Sequence, residues 1–255
     1  MLELSDKLPG GALVDGARAG LEAALQGIPA FWWQARREAF ELEGEVVQGW
    51  TDALQGQRAA PTKPNDGGAR LTESSAPGLH TEAETHCGLV AERITENAGR
   101  FSFAVIYTPR PGATPKTLLT LNGAHQTGAA EYFFLSDGGD TYTVKDTSGA
   151  VELLAPVTAA PDAPRMAVVT LAGDRLAFAE DLNPPVVAEG RKPALGEAAD
   201  LFFGVRSHRA GLKKTLGAAH IHEVLFFPRH CLLLPRSPED EALLTALRRY
   251  RLWEY

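Results

Sequence analysis

The 255-residue chain has only two cysteines, Cys87 and Cys231, which lie far apart and belong to no CxxC pair. A disulfide framework or a thiolate zinc site is therefore excluded as the organising principle, and two buried free thiols are expected. Positive charge is not in excess either: 25 Lys and Arg stand against 32 Asp and Glu, a net charge of −7. A nonspecific nucleic-acid binder needs a basic footprint to neutralise phosphates, so no nucleic-acid partner is expected. No apolar run approaches the roughly 18 residues of a membrane-spanning helix, and no membrane insertion is expected. The first residues, Met1-Leu-Glu-Leu-Ser-Asp-Lys7, lack the basic stretch and unbroken apolar run of a signal peptide. Synthesis in the cytoplasm is the expectation that follows. GxSxG, P-loop, GxGxxG and HExxH patterns are missing as well, which removes four familiar catalytic designs.

Turn formers are abundant: 25 glycines and 17 prolines punctuate the chain. From Ile28 onward the apolar residues follow period two. Phe101, Phe103, Val105 and Tyr107 would share one strand face. Leu118 to Leu121, Tyr132 to Leu135 and Tyr142 to Val144 are short β-type runs, separated by sequences such as Asp137-Gly-Gly-Asp140. Met166 to Leu171 and Leu176 to Phe178 flank Ala172-Gly-Asp174 as a hairpin, and Leu201 to Val205 and Ile221 to Phe227 follow. At least nine strands without helical interludes predict an all-β sandwich. Residues 55–75 and 183–198, rich in turn formers, read as mobile loops.

Two helical pieces frame this region. Within residues 1–28, Asp15 is positioned to cap a short helix reaching Ala24 or Leu25, with Leu21, Ala24 and Leu25 on one stripe and Gly27 ending it. About ten residues of isolated helix are marginal in water. The segment must therefore pack, either on its own domain or on a partner subunit. Leu2, Leu4, Leu8, Leu13 and Val14 give it apolar surface for such docking. At the other end, Ser237 is an N-cap, Pro238 takes the first helical position, and Glu239, Asp240 and Glu241 complement the dipole. Leu243, Leu244, Leu247 and Tyr250 form the packing stripe, and no chemistry is expected on this helix.

Three stretches together resemble the concanavalin A-like, laminin-G-like jelly-roll family in its bacterial and phage form. Phe31-Trp-Trp-Gln-Ala-Arg36 and Gly44-Glu-Val-Val-Gln-Gly-Trp-Thr-Asp52 are similar to its opening pair of strands. Phe101 to Tyr107 followed by Thr117-Leu-Leu-Thr-Leu121 is the second match. Ala218-Ala-His-Ile-His-Glu-Val-Leu-Phe-Phe227, Arg229 to Leu234 and the Ser237 helix resemble its ending, with Glu223 at the family's fixed acidic place. The resemblance implies a jelly-roll β-sandwich over residues 29–255, with residues 1–28 as a short additional N-terminal helical segment and a C-terminal packing helix. The family's usual acidic stretch is replaced by Gly78-Leu-His-Thr-Glu-Ala-Glu-Thr-His86, so its calcium site does not carry over.

Candidate chemistry is sparse. If residues 80–86 were a strand, His80, Glu82, Glu84 and His86 would share one face. Two carboxylates so placed resemble the acid and nucleophile of retaining jelly-roll glycosidases, but Cys87 stands where the third acid belongs. His220 and His222 sit at a spacing that metals use, with His80, His86, Glu84 or His230 as possible third ligands. Val224 and Phe226 on the same face favour packing, so neither a metal nor a cofactor is expected. Glu223, placed with Ile221 and Leu225, would need a hydrogen-bond partner if buried. Trp32, Trp33 and Trp50 could stack on sugar rings. Trp32 and Trp33, being adjacent, point to opposite faces, so one belongs to the core and the other to solvent.

The reading is a noncatalytic, lectin-like module that recognises a surface polysaccharide or glycan. Its ligand-binding candidates are Trp32, Trp33, His80, Glu82, Glu84, His86, His220 and His222. The resemblance, joined to the missing signal peptide, implies a spike or fibre subunit on the surface of a phage-like particle. It would be oligomeric, joined to other particle subunits through residues 1–28. A ligand-free structural subunit and a glycosidase using Glu82 and Glu84 are the alternatives.

Overall fold

The computed structural model describes residues 14–72, 77–123, 132–196, 198–208 and 210–255. Helix α1 (Val14–Leu25) comes first, followed by β1 (Phe31–Gln34), β2 (Phe40–Glu43), β3 (Val46–Thr51), β4 (Arg58–Pro61), β5 (Arg70–Thr72) and β6 (Gly78–His80). The long central strands are β7 (Leu89–Thr95), β8 (Arg100–Pro109), β9 (Lys116–Asn122), β10 (Tyr132–Asp137), β11 (Thr141–Asp146) and β12 (Glu152–Pro156). Then come β13 (Arg165–Ala172), β14 (Arg175–Glu180), β15 (Val186–Glu189), β16 (Ala199–Phe203), β17 (Ala219–Pro228) and α2 (Pro238–Glu254).

All seventeen strands pair antiparallel and curl into two facing layers, the all-β sandwich the period-two pattern predicts. One layer runs β1–β17–β8–β13–β14–β15, and β17 also carries β6 and β5. The other runs β4–β7–β16–β9–β10–β11–β12. Between them lies the main core, in which Trp33, Trp50, Phe101, Phe103, Val105, Leu121, Phe133, Val169, Phe203 and Phe226 are buried.

The outer face of the first layer is also covered. Leu21 and Leu25 of α1 and Leu243, Leu247 and Tyr250 of α2 bury Trp32, Ala104, Ile106, Met166, Val168, Leu225 and Phe227 in a second core. Every residue of β13 is consequently buried, against the alternation of a sheet with one wet face. Helix α1 ends as its sequence predicts, with Gly27 at φ +75°. The Asp15 side chain and Leu2, Leu4, Leu8 and Leu13 lie outside the described residues. Helix α2 is capped by Ser237, whose hydroxyl accepts from the Asp240 amide at 3.3 Å.

Two expectations of mobile loops need correction. Residues 55–75 contain β4 and β5, with Ala59, Ala69 and Leu71 in the main core, and residues 183–198 contain β15 and the buried Leu195. A few small or apolar residues are enough to pair β4 with β3 and β7, β5 with β3 and β6, and β15 with β14 at the edge, which composition conceals. Cys87 and Cys231 are buried free thiols, as expected. Asp137-Gly-Gly-Asp140 is a hairpin turn, closed by the Gly138 amide donating to the Thr141 carbonyl at 2.9 Å. No helix among the described residues is long and apolar enough to cross a membrane.

Candidate functional site

The residues singled out from sequence scatter into three environments. Trp32 and Trp33 do point to opposite faces, yet neither meets solvent, with exposures of 1% and 0%. The face expected to be wet lies beneath the two helices, so Trp32 packs edge-on against Tyr250 with ring centroids 5.4 Å apart. Trp33 and Trp50 are both buried in the main core, and their indole N–H groups donate to the Trp50 and Gln34 carbonyls. None of the three is available for sugar stacking.

The strand expected over residues 80–86 ends at His80. Residues 83 and 84 form a turn, with Glu84 at φ +57°, so Glu82 and Glu84 are exposed turn residues that share no strand face. His86 is buried, donating from Nε2 to the Ala210 carbonyl at 3.0 Å. It therefore has a structural partner and no opening to solvent.

His80 and His220 are brought together. They are direct register partners across β6 and β17, with ring centroids 4.8 Å apart. Burial, Arg110 and His220 push the His80 imidazole down to about 4, and burial and Arg110 lower His220. Both are neutral near pH 7, and His80 Nδ1 is buried without a partner. His222 is set apart by a bulge between Ile221 and Glu223. Its Nδ1 donates to the Pro77 carbonyl at 2.9 Å, leaving Nε2 to accept from the Thr108 hydroxyl at 2.8 Å. Both nitrogens are thereby occupied, and no group of three or more metal-ligating side chains occurs among the described residues.

The same bulge corrects the facing of β17. Ile221, Val224 and Phe226 point into the main core, whereas Glu223 and Leu225 point outward. A bulge inserts one residue and flips the parity on its far side, which strict alternation from the sequence cannot anticipate.

Glu223 is the centre of a site the sequence shows only in part. It is 4% exposed and meets the requirement for partners three times over. Trp32 Nε1 donates to Oε2 at 2.7 Å, and the Tyr250 and Tyr255 hydroxyls donate to Oε1 at 2.5 Å and 2.9 Å. Burial pushes its carboxyl up to about 7, against the pull of these three donors and Arg18. Beside it opens a cavity of about 190 Å³, lined also by Arg18, Gln34, Arg36, Tyr250, Glu254 and Tyr255. Gln34 is the direct register partner of Glu223 across β1 and β17. Its Oε1 accepts from Arg18 Nη2 at 2.8 Å, while its Nε2 is buried and has no partner. The Arg18 guanidinium in turn lies 5.5 Å from the Trp32 ring centroid.

The sequence singles out Glu223 only as an acid that needs a partner if buried, and it does not join Glu223, Gln34, Arg18, Tyr250 and Tyr255 into one cluster. The available signal was weak: period two places Trp32 and Gln34 on one face, and the α2 stripe includes Tyr250. No local spacing rule joins strand β1 to a helix more than 200 residues away. Beyond the packing role expected of α2, its Tyr250 and the following Tyr255 also donate hydroxyl hydrogen bonds to Glu223.

No protein-family model and no curated protein sequence matches the chain. Solved structures do resemble it in fold. A mutant of Trypanosoma rangeli sialidase displaying trans-sialidase activity matches with a TM-score of 0.57 at 12% identity, covering 94% of this chain and 38% of that one. Trypanosoma rangeli sialidase in complex with sialic acid matches at 0.55 and 14%, covering 93% and 38%. An arabinofuranosidase complexed with arabinofuranosyl-α-1,2-xylobiose matches at 0.50 and 11%, covering 79% and 51%. The chain thus spans well under two thirds of each of these proteins. At such identities the likeness establishes the fold, a β-sandwich that also occurs within carbohydrate-active proteins.

Proposed function

We propose that the protein is a noncatalytic glycan-recognition module that uses the cavity beside Glu223. The observation that carries this reading is the lining: amide, guanidinium, phenol and carboxyl groups converge on one small opening. Hydroxylated ligands need such mixed donors and acceptors, because every sugar hydroxyl can both donate and accept. The occurrence of similar sandwiches in a sialidase and an arabinofuranosidase supports the same reading as an analogy of fold.

Recognition is favoured over catalysis by the state of the acids. Glu223 already accepts three hydrogen bonds, and both its tyrosine partners have hydroxyls raised by burial, so neither is a ready nucleophile. Glu82 and Glu84 are exposed on a turn, and the glycosidase alternative loses the shared strand face it required. Placement on the surface of a phage-like particle rests on the sequence resemblance and the lack of signal-peptide features alone, and recognition is the part the cavity supports.

A glycan array probed with the intact protein, paired with a reducing-sugar assay on the glycans that bind, tests the proposal. Saturable binding without release of reducing ends is expected. An array without any binding, or hydrolysis of the bound glycan, would overturn it.

A further inference from the structure

We infer that the Glu223 cavity receives a single neutral sugar ring, held by the Gln34 amide nitrogen, rather than an acidic sugar or an extended oligosaccharide. This rests on the glycan-recognition reading and narrows it to a ligand class.

Size comes first. Pockets that bury drug-sized ligands run to roughly 300–1,000 Å³, whereas this one offers about 190 Å³. One ring and its hydroxyls suit that space, and further sugar units would extend into solvent.

Charge comes second. A carboxylated sugar needs a cavity of net positive character, and a cationic ligand the reverse. Arg36 is balanced here by Glu254, and the buried Glu223, raised to about 7, adds a further partial negative charge. Arg18 is paired with Glu22 at 2.9 Å. A ligand with a full charge would meet an opposing group of the same sign, and a neutral polyol meets no such penalty.

The Gln34 amide supplies the third argument. Its orientation is fixed, because Oε1 must face the Arg18 guanidinium, which is a donor without acceptors. Nε2 is thereby left without a partner on a side chain only 4% exposed. Unsatisfied buried donors are uncommon and costly in folded proteins. Nε2 has almost no accessible surface in the free protein, so a ligand hydroxyl or ring oxygen reaches it by a small shift of the cavity wall, and accepting from it removes that cost. Glu254 on the same lining can accept from a neighbouring hydroxyl. Bound in this way, a ring would use a donor of the cavity lining that the protein's own fold leaves unused.

The test is a titration of the intact protein with D-glucose, D-galactose, L-arabinose and N-acetyl-D-glucosamine, with D-glucuronate and N-acetylneuraminate as acidic comparators. Saturation-transfer NMR and calorimetry report binding. At least one neutral sugar should bind, every acidic comparator should bind at least tenfold more weakly, and Gln34→Leu should weaken the neutral sugar at least tenfold. Circular dichroism of Gln34→Leu establishes that it folds. If it does not fold, Arg36→Gln and Glu254→Gln, at the more exposed side of the lining, carry the test, and each should lower affinity. Equal affinity in these variants, preference for the acidic sugars, or no monosaccharide binding while array glycans still bind would overturn this inference and leave the recognition reading standing. Absence of binding to any glycan would overturn both.

Discussion

Gln34 and Glu223 face each other directly across β1 and β17, and each is only 4% exposed. Period two along β1 places Trp32 on the same outer face, and the helices then close over that face. An amide, a carboxyl and an indole N–H are thus held under α2 by strand register alone. Sites mounted on paired strands are stiffer than sites on loops, so strand register fixes the Gln34 and Glu223 side of the cavity.

The pH dependence of stability follows from Glu223. Its carboxyl is raised from an ordinary 4.5 to about 7, so between those values the folded state binds more protons than the unfolded state. Its contribution is full below pH 4.5 and is lost as pH rises through 7. At about 1.4 kcal/mol per pH unit, the loss is on the order of 3 kcal/mol. His80, lowered to about 4, acts with the opposite sign between pH 4 and 6.5. Urea denaturation of Glu223→Gln beside the parent chain separates the two effects. The difference in stability between the chains should shift by about that amount between pH 4.5 and 7, with the parent relatively more stable at the acid end.

Trp32→Phe removes the indole donor from Glu223 while retaining an aromatic ring. The carboxyl then keeps its two tyrosine donors, and a loss of about 2–4 kcal/mol is expected from the missing hydrogen bond and the smaller ring. Chemical denaturation measures it.

Leu21 is fully buried against Trp32 and α2. Leu21→Ala should therefore cost roughly 2–5 kcal/mol in the isolated chain. A stability change below about 0.5 kcal/mol would mean that α1 contributes little to this chain's own core.

A second buried network lies away from the cavity. Tyr107 donates to Asp137 at 2.6 Å, Arg165 approaches the same carboxylate at 3.3 Å, and Tyr142 donates to Glu180 at 2.9 Å. Asp137→Asn leaves the Arg165 guanidinium without its counter-charge and should cost about 3–5 kcal/mol. Glycan binding, measured in urea-free buffer at a temperature where circular dichroism shows the variant folded, should keep the parent affinity. The double variant Glu82→Gln, Glu84→Gln should change stability by less than about 0.5 kcal/mol and leave binding unchanged.

What the sequence reveals and what it hides have separable physical causes. The strands of the two layers are legible because alternation and turn residues are local signals, as in Phe101 to Tyr107 and the Asp137-Gly-Gly-Asp140 hairpin. The capping of α2 is local too, with Ser237 and Pro238 adjacent in the chain. The exposure of Trp32 is not local, since it depends on which face α1 and α2 cover. The facing of His222 and Glu223 depends on one bulge, which leaves no mark in the hydrophobic pattern. The cavity requires β1, β17, α1 and α2 to meet, and only the folded chain joins Gln34 to Tyr255.

The central claim is that a sugar is recognised beside Glu223. Its most direct test is a titration of the ¹⁵N-labelled protein with the array's best glycan, following the side-chain amide of Gln34 by NMR. The resonance is assigned by its disappearance in Gln34→Leu. The account predicts a saturable shift of both Gln34 Nε2 protons, with the same midpoint as binding measured by calorimetry. Saturable binding with the Gln34 amide unmoved and the shifts concentrated on another surface would contradict it.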